Sequence, residues 1–298
     1  MRATTKTARF LAGTGEGGSP SPCRLARRRR YCCCETHHTN TARSAWTKEV
    51  EVYTRSSYYG WRARIGLIVP SVNLVMEPEF YRMAPDGVSI HTSRVLVLGK
   101  PSVDGYMSMA EAAARAAEEL ATAEPDVVVY GCTSGSIIGG DEAITRRIQG
   151  VVGMIPVVTT ASAVVEALRA LGLNRIAVAT PYVNFINEEE RRYLEDHGFQ
   201  VTRILGLGLG EGDMLERRMI QRQPPAVAYR IARESFTPDS DGVFVSCTGF
   251  AALPVIEQLE MDLGRPVVTS NQATFWAALR RAGLNDRMQG LGRLLREM

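Results

Sequence analysis

A chain of 298 residues with 45% hydrophobic residues can bury one large core or two medium ones. Since no apolar run approaches the roughly 18 residues needed to span a bilayer, we expect no membrane association. The net charge of +3 comes from the first 63 residues, which hold 12 Lys and Arg against 4 Asp and Glu, whereas the remainder holds 23 against 28. The mildly acidic body argues against nucleic acid as a partner.

Residues 1–60 show no sustained helical or strand periodicity and are rich in Thr, Ser, Arg and Gly. We predict that they form a disordered basic extension, with an organellar transit peptide as the alternative. The cysteines Cys32, Cys33 and Cys34 lie here, but their spacing lacks the paired CxxC pattern of zinc sites. Few cysteines in the body and no secretion signal indicate a cytoplasmic protein.

From Arg64 onward, short apolar runs alternate with segments of helical periodicity. The first half contains predicted strands at Ile65–Val69, Val88–Leu98, Val127–Tyr130 and Ile155–Thr159, and predicted helices beginning at Glu77–Tyr81 and spanning Met107–Ala123, Glu142–Ile148 and Ala163–Leu171. Such alternation is typical of an α/β fold with a parallel sheet.

The second half repeats the first, because RIAVATPYVN from Arg175 matches RIGLIVPSVN from Arg64 at a constant offset. Its predicted elements are helices at Glu188–Asp196 and Val227–Glu234, strands at Gln200–Leu205 and Val243–Val245, and a glycine-rich turn through Gly206, Gly208 and Gly210. We predict two doubly wound lobes with parallel sheets, related by a pseudo-twofold axis and separated by an active-site cleft. The predicted lobes are residues 64–170, completed by 272–298, and residues 171–271.

Two cysteines occupy equivalent places in the two halves, each at the tip of a predicted strand and followed by threonine. They are Cys132 in YGCTSGS and Cys247 in SCTGF. A lone buried cysteine is more often inert core, but the shared context favours reactive thiols. Ligands bind at the carboxyl ends of parallel strands, where a helix N-terminus can hold a cysteine as thiolate. We expect the two thiols on opposite sides of one small ligand.

The chain from Arg64 to its end resembles the aspartate/glutamate racemase superfamily, in the branch of maleate cis-trans isomerase, arylmalonate decarboxylase and an ectoine-utilisation protein. The resemblance is carried by VPSVNLVMEPEFYRMAP from Val69, YGCTSGS, ATPYVNFINEEE from Ala179, SCTGF, and PVVTSNQATFWAALRRAG from Pro266. It implies a homo-oligomer, a dimer or tetramer, that acts on a small carboxylate without metal or organic cofactor. Arylmalonate decarboxylases carry glycine in place of the first cysteine, whereas maleate isomerases keep both.

This resemblance implies a maleate isomerase-like reaction in which Cys132 adds to the alkene as thiolate and Cys247 moves a proton. The implied carboxylate-binding positions are Asn73 and Tyr182, with Asn184 added through the internal repeat. The residue types add the hydroxyls of Thr133, Ser134 and Thr248 as stabilisers of an enediolate.

Three alternatives remain open. They are an Asp/Glu-type racemase, an arylmalonate decarboxylase-like enzyme, and a non-catalytic carboxylate-binding protein of ectoine catabolism. One departure bears on the substrate, because maleate isomerases carry a further asparagine about thirty residues before the second cysteine. Here the stretch from Glu211 offers Asp213 and Arg217 instead.

Overall fold

The computed structural model describes residues 58–97, 102–212 and 214–298. Nearly all of the predicted basic extension, including Cys32, Cys33 and Cys34, therefore lies outside the described residues. Within those ranges, no helix combines the length and apolar character that crossing a bilayer requires.

Two parallel four-stranded sheets form the framework, and both have the same strand order. The first sheet runs β2-β1-β3-β4, with β1 at Ala63–Pro70, β2 at Val88–Val95, β3 at Val127–Tyr130 and β4 at Val157–Thr159. The second runs β6-β5-β7-β8, with β5 at Arg175–Tyr182, β6 at Gln200–Leu209, β7 at Gly242–Val245 and β8 at Val267–Thr269. The predicted repeat therefore corresponds to two α/β lobes, which confirms the fold class.

The described part of the chain contains eleven helices, of which the last two follow the final strand. The first half contains α1 (Met76–Met83), α2 (Val103–Ala121), α3 (Thr133–Ile138), α4 (Asp141–Val152) and α5 (Thr160–Ala170). The second contains α6 (Asn184–Asp196), α7 (Met214–Gln221), α8 (Pro225–Ser235), α9 (Ile256–Leu263), α10 (Ser270–Arg281) and α11 (Gly292–Glu297). A single 3₁₀ turn at Leu253–Val255 precedes α9.

The glycine-rich segment at the end of β6 was expected to be a turn, and that expectation is wrong. Strand β6 continues through Gly206 and Gly208 to Leu209. Gly206 lies directly against the carbonyl oxygen of Tyr182 and the side chain of Asn187, so that a β-carbon there would collide with both. The glycine allows β6 to approach the end of β5, which is where the strand tips face the cleft.

The two lobes exchange helices at the ends of their sheets. Helix α5 follows the first sheet, yet its Val164 and Leu168 share a core with Ile176 of the second sheet. Helix α10 follows the second sheet, yet its Phe275 packs edge to face on Phe80 of α1, with ring centroids 5.1 Å apart. The predicted division between residues 170 and 171 would thus separate α5 from the sheet on which it packs.

Candidate active site

A cleft between the strand tips of the two sheets contains both cysteines. It holds about 570 Å³ of space, including the part open to solvent. The polar and charged lining residues are Asn73, Tyr106, Cys132, Ser134, Tyr182, Arg217, Gln221, Cys247 and Thr248. The lining is completed by the apolar side chains of Pro70, Val72, Val97, Met109, Ile186, Leu209 and Ile220, and by Gly210 and Gly249. The prediction that both thiols face one cleft is therefore confirmed.

Cys132 lies between the end of β3 and the first turn of α3. Its sulfur accepts a hydrogen bond from the backbone N–H of Gly135 at 3.3 Å and lies 3.9 Å from the hydroxyl of Ser134. Burial nevertheless raises the pKa of this thiol, and the Gly135 N–H, the Ser134 hydroxyl and the positive charge of Arg217 oppose that rise. This direction is opposite to the lowering expected beside a helix N-terminus, because desolvation outweighs the donors of this short helix.

Cys247 follows β7 with a backbone φ of +90°, a left-handed conformation that is rare for a residue with a β-carbon. Its N–H donates to Ser270 Oγ at 3.0 Å, and its sulfur accepts from Gly249 N–H at 3.3 Å. Burial raises the pKa of Cys247 to about 12, with further contributions from the charges of Cys132 and Glu190. The hydroxyl of Tyr182 is hydrogen-bonded to this thiol and lowers its pKa, which partly offsets the rise.

Asn73, Ser134, Tyr182 and Thr248 line the cleft, as the sequence predicts. The carboxamide oxygen of Asn73 accepts from the N–H groups of Val75 and Met76 at the beginning of α1, both at 2.9 Å. Its amide nitrogen donates to Thr248 Oγ1 at 3.0 Å, which leaves one N–H of the side chain available to a ligand.

The hydroxyls of Thr133 and Thr248 link the two lobes. Thr248 donates its proton to the carbonyl oxygen of Gly131 at 3.2 Å, and Thr133 donates to Ser270 Oγ at 2.9 Å. Each hydroxyl has one proton and donates it to the other lobe, so neither has a proton left to donate into the cleft. Thr133 is also absent from the cleft lining. These contacts hold the strand tip that bears each threonine against the opposite lobe.

Asn184 lies outside the cleft, although the repeat aligns it with Asn73. It is exposed and lines a separate surface depression with Phe185 and Glu211. The difference arises because α6 begins at Asn184 itself, whereas α1 begins three residues after Asn73. Because α6 starts earlier, the side chain of Asn184 points outward. Tyr182, at the end of β5, lines the cleft instead.

Three residues in or beside the cleft were not predicted from the sequence, namely Tyr106, Gln221 and Glu190. Tyr106 lies in an alanine-rich segment, and its hydroxyl is hydrogen-bonded to Ser134. Gln221 lies on α7, a helix that was not predicted. Glu190 belongs to a run of three glutamates that resembles a solvated helix face, so the sequence carried no signal of its burial.

Glu190 is 1% exposed and directly adjoins the Cys247 strand tip. One carboxylate oxygen accepts from Ser246 Oγ at 2.5 Å, and the other has no hydrogen-bond partner among the described residues. Burial raises the pKa of Glu190 to about 7, and the hydrogen bond from Ser246 only partly offsets it. The buried acid is therefore largely protonated below neutrality.

Glu190→Gln is expected to flatten the pH dependence of stability between pH 4.5 and about 7. In the wild type the unfolded chain ionises Glu190 near its ordinary value of 4.5 while the folded protein keeps the proton, so the free energy of unfolding falls as pH rises. The difference between variant and wild type should change by roughly 3 kcal/mol across this window. Urea unfolding at several pH values measures it.

The matched control is Glu188→Gln, which removes an exposed carboxylate from the same helix. It should follow the wild-type pH dependence. If Glu190→Gln does so as well, Glu190 is solvated and does not carry a raised pKa.

Within the described ranges, no three or more His, Cys, Asp or Glu side chains are grouped so as to hold a metal ion. Fold and site together define a two-lobed α/β protein whose inter-lobe cleft presents two thiols and one guanidinium to a small ligand.

Comparison with known proteins identifies the family. Residues 65–295 match the model of the arylmalonate decarboxylase family, and the chain belongs to it. The arylmalonate decarboxylase of Bordetella bronchiseptica is 33% identical over 239 residues, an alignment that covers 78% of this chain and 96% of the relative.

Solved structures of maleate isomerases are also similar. The enzyme from Pseudomonas putida S16 superimposes with a TM-score of 0.73 at 28% identity, covering 79% of this chain and 98% of that one. A cysteine-to-serine mutant of the Nocardia farcinica maleate cis-trans isomerase, with a covalently bound succinylcysteine intermediate, superimposes with a TM-score of 0.72 at 28% identity. It covers 79% of this chain and 99% of that one.

Proposed function

We propose that this protein is a maleate cis-trans isomerase-like enzyme that uses two cysteines to isomerise a small enedioate. The observation that carries the proposal is the pair of thiols, Cys132 and Cys247, in one cleft. The succinylcysteine intermediate of the Nocardia enzyme supports the same chemistry. We further propose a cytoplasmic homo-oligomer that acts on a small carboxylate without a metal or organic cofactor.

The surroundings of the two thiols favour different roles. Cys132 is close enough to Arg217 for the positive charge to favour its thiolate, whereas Cys247 is near the carboxyl of Glu190, which disfavours ionisation. When two titratable groups lie in surroundings that shift their pKa values in opposite directions, the group whose ionised form is favoured suits the role of base or nucleophile. The other group suits the role of acid. We therefore assign the nucleophile to Cys132 and the proton donor to Cys247.

In the proposed cycle, Cys132 loses its proton to solvent and the thiolate attacks one alkene carbon. The π electrons take a proton from the Cys247 thiol at the other carbon, which gives a succinyl thioether and a Cys247 thiolate. The central bond is now single and rotates. Cys247 then removes a proton from the same carbon, the C–S bond breaks, and the trans alkene forms while the Cys132 thiolate is regenerated.

Asn73 and Tyr182 are the proposed contacts to the carboxylate next to the reacting carbons. Asn73 has one free amide N–H, and the Tyr182 hydroxyl reaches the Cys247 sulfur. Ser134 lies between Cys132 and Tyr106 and can donate to the developing enediolate. Thr133 and Thr248 act through the strand tips, as their inter-lobe hydrogen bonds indicate.

Incubation with maleate is expected to yield fumarate, as followed by proton NMR. Because burial raises the pKa of Cys132, the thiolate is scarce at neutral pH, and kcat/KM should rise about tenfold per pH unit below that pKa. The rise should continue through pH 6 to 9, since Cys247, with a pKa of about 12, stays protonated throughout.

A substrate panel serves as the control for this assay. It contains maleate, D-aspartate, D-glutamate and phenylmalonate in deuterated water, so that isomerisation, racemisation and decarboxylation are read separately. Turnover of phenylmalonate or an amino acid without turnover of maleate would contradict the proposal.

A further inference from the structure

Helix α7 covers the cleft and contacts both lobes. Gln221 accepts a hydrogen bond from the N–H of Leu74, at 3.4 Å, on the loop after β1. The same side chain lies so close to Gly249 that a β-carbon there would collide with it. Ile220, the preceding residue, and Arg217, one turn earlier on the helix, also line the cleft. Helix α7 therefore forms part of the cleft wall.

Arg217 is the one charged side chain among the described residues that line this cleft. Its guanidinium carbon lies 5.9 Å from the ring centroid of Tyr106, close enough for a cation–π contact. Its Nε is buried and has no hydrogen-bond partner, and none of the ion pairs between described residues includes Arg217. A cation with no ion-pair partner and a buried N–H without an acceptor favours an anionic ligand.

The cleft has a second group of donors around the thiols, in Asn73, Ser134 and Tyr182. A small ligand that occupies these donors with one carboxylate and extends toward α7 meets the guanidinium of Arg217. The surrounding Val97, Met109 and Ile220 are apolar and offer no competing hydrogen bonds. A planar guanidinium matches a carboxylate with two parallel N–H donors, a geometry that no other cleft side chain provides.

We propose that Arg217 is the specificity-determining residue of this cleft, binding a second carboxylate and so selecting dicarboxylates over monocarboxylates. The inference rests on the proposed function for the position of the first carboxylate. In this proposal, Arg217 recognises the carboxylate that lies farther from the thiols.

The test compares succinate with butyrate, two saturated ligands that differ in one carboxylate, by calorimetric titration. Both are measured in the full chain carrying Cys132→Ser, so that Arg217 has no thiolate to stabilise. Adding Arg217→Ala is expected to reduce the affinity for succinate about 10- to 100-fold and the affinity for butyrate less than threefold. Arg217→Lys should recover only part of the loss, because lysine keeps the charge without the paired donors.

Arg218→Ala is the matched control, since Arg218 is exposed on the same helix and absent from the cleft lining. It should leave the affinity for both ligands unchanged. The inference is overturned if succinate does not bind the Cys132→Ser protein. It is also overturned if Arg217→Ala leaves the affinity for succinate unchanged, or if it reduces the affinity for both ligands equally. Equal weakening would mean that Arg217 only shapes the cleft.

Binding and turnover separate this inference from the proposed function. If the wild type does not convert maleate, yet succinate binding depends on Arg217, the isomerase proposal fails and the recognition site stands. If the wild type converts maleate and Arg217→Ala leaves succinate binding intact, the isomerase proposal stands and this inference fails.

Discussion

Cys132→Ser and Cys247→Ser are each expected to reduce maleate turnover by about 1000-fold or more, while the fold and weak ligand binding remain. A serine hydroxyl at Cys132 is a far weaker nucleophile at neutral pH, and at Cys247 it would leave a proton donor too weakly acidic to serve the carbanion. Both side chains line the cleft, and serine is nearly isosteric with cysteine, so the change should cost little stability. Proton NMR of fumarate formation and a thermal melt measure the two effects.

Cys23→Ser is the matched control, because it removes a thiol from outside the residues that match the family. Its turnover should equal that of the wild type. The double variant should be no slower than the slower single variant by more than a small factor, since two groups that act in one step are not additive. If either single variant keeps more than about a tenth of the activity, roughly 1.4 kcal/mol of barrier, the thiol removed is neither nucleophile nor essential acid.

Phe275→Ala is expected to lower the free energy of unfolding by about 3 to 5 kcal/mol. The ring is fully buried, follows the second sheet in the chain and packs edge to face on Phe80 beside the first sheet. Its removal leaves a cavity where the two lobes are held together, and the surrounding helices cannot close it without moving both sheets. Urea unfolding followed by circular dichroism measures the loss.

Phe275→Leu, which retains most of the volume, should lose much less, and Phe185→Ala serves as the surface control. Phe185 is 43% exposed, so its truncation should change the free energy of unfolding by no more than about 0.5 kcal/mol. A loss below about 1 kcal/mol for Phe275→Ala would mean that the contact between α10 and α1 contributes little to joining the lobes.

The sequence by itself determined the fold class and the pair of cysteines. Strand β3, at Val127–Tyr130, has the predicted bounds, and most other strand and helix bounds differ by a few residues. Buried parallel strands are short continuous apolar runs, so they can be recognised in a sequence without any knowledge of their partners. The repeat beginning at Arg64 and Arg175 predicted two equivalent lobes, because two copies of one pattern fold into two similar sheets.

Asn271 shows how far local pattern reaches. It lies in the first turn of α10, and its amide nitrogen donates to Glu79 Oε2 at 2.7 Å and to the carbonyl oxygen of Thr248 at 3.2 Å. No local pattern identifies Glu79, 192 residues away in the chain, as its partner.

Only the tertiary structure decided the direction and protonation of the site residues. Asn73 and Asn184 share a sequence pattern, yet the first lines the cleft and the second is exposed, because their helices begin at different points. Thr133 and Thr248 point at the opposite lobe, and burial raises the pKa of both thiols, whereas the sequence predicts a thiolate at Cys132. Side-chain direction and desolvation depend on atoms brought close by folding from distant parts of the chain, and no local pattern records them.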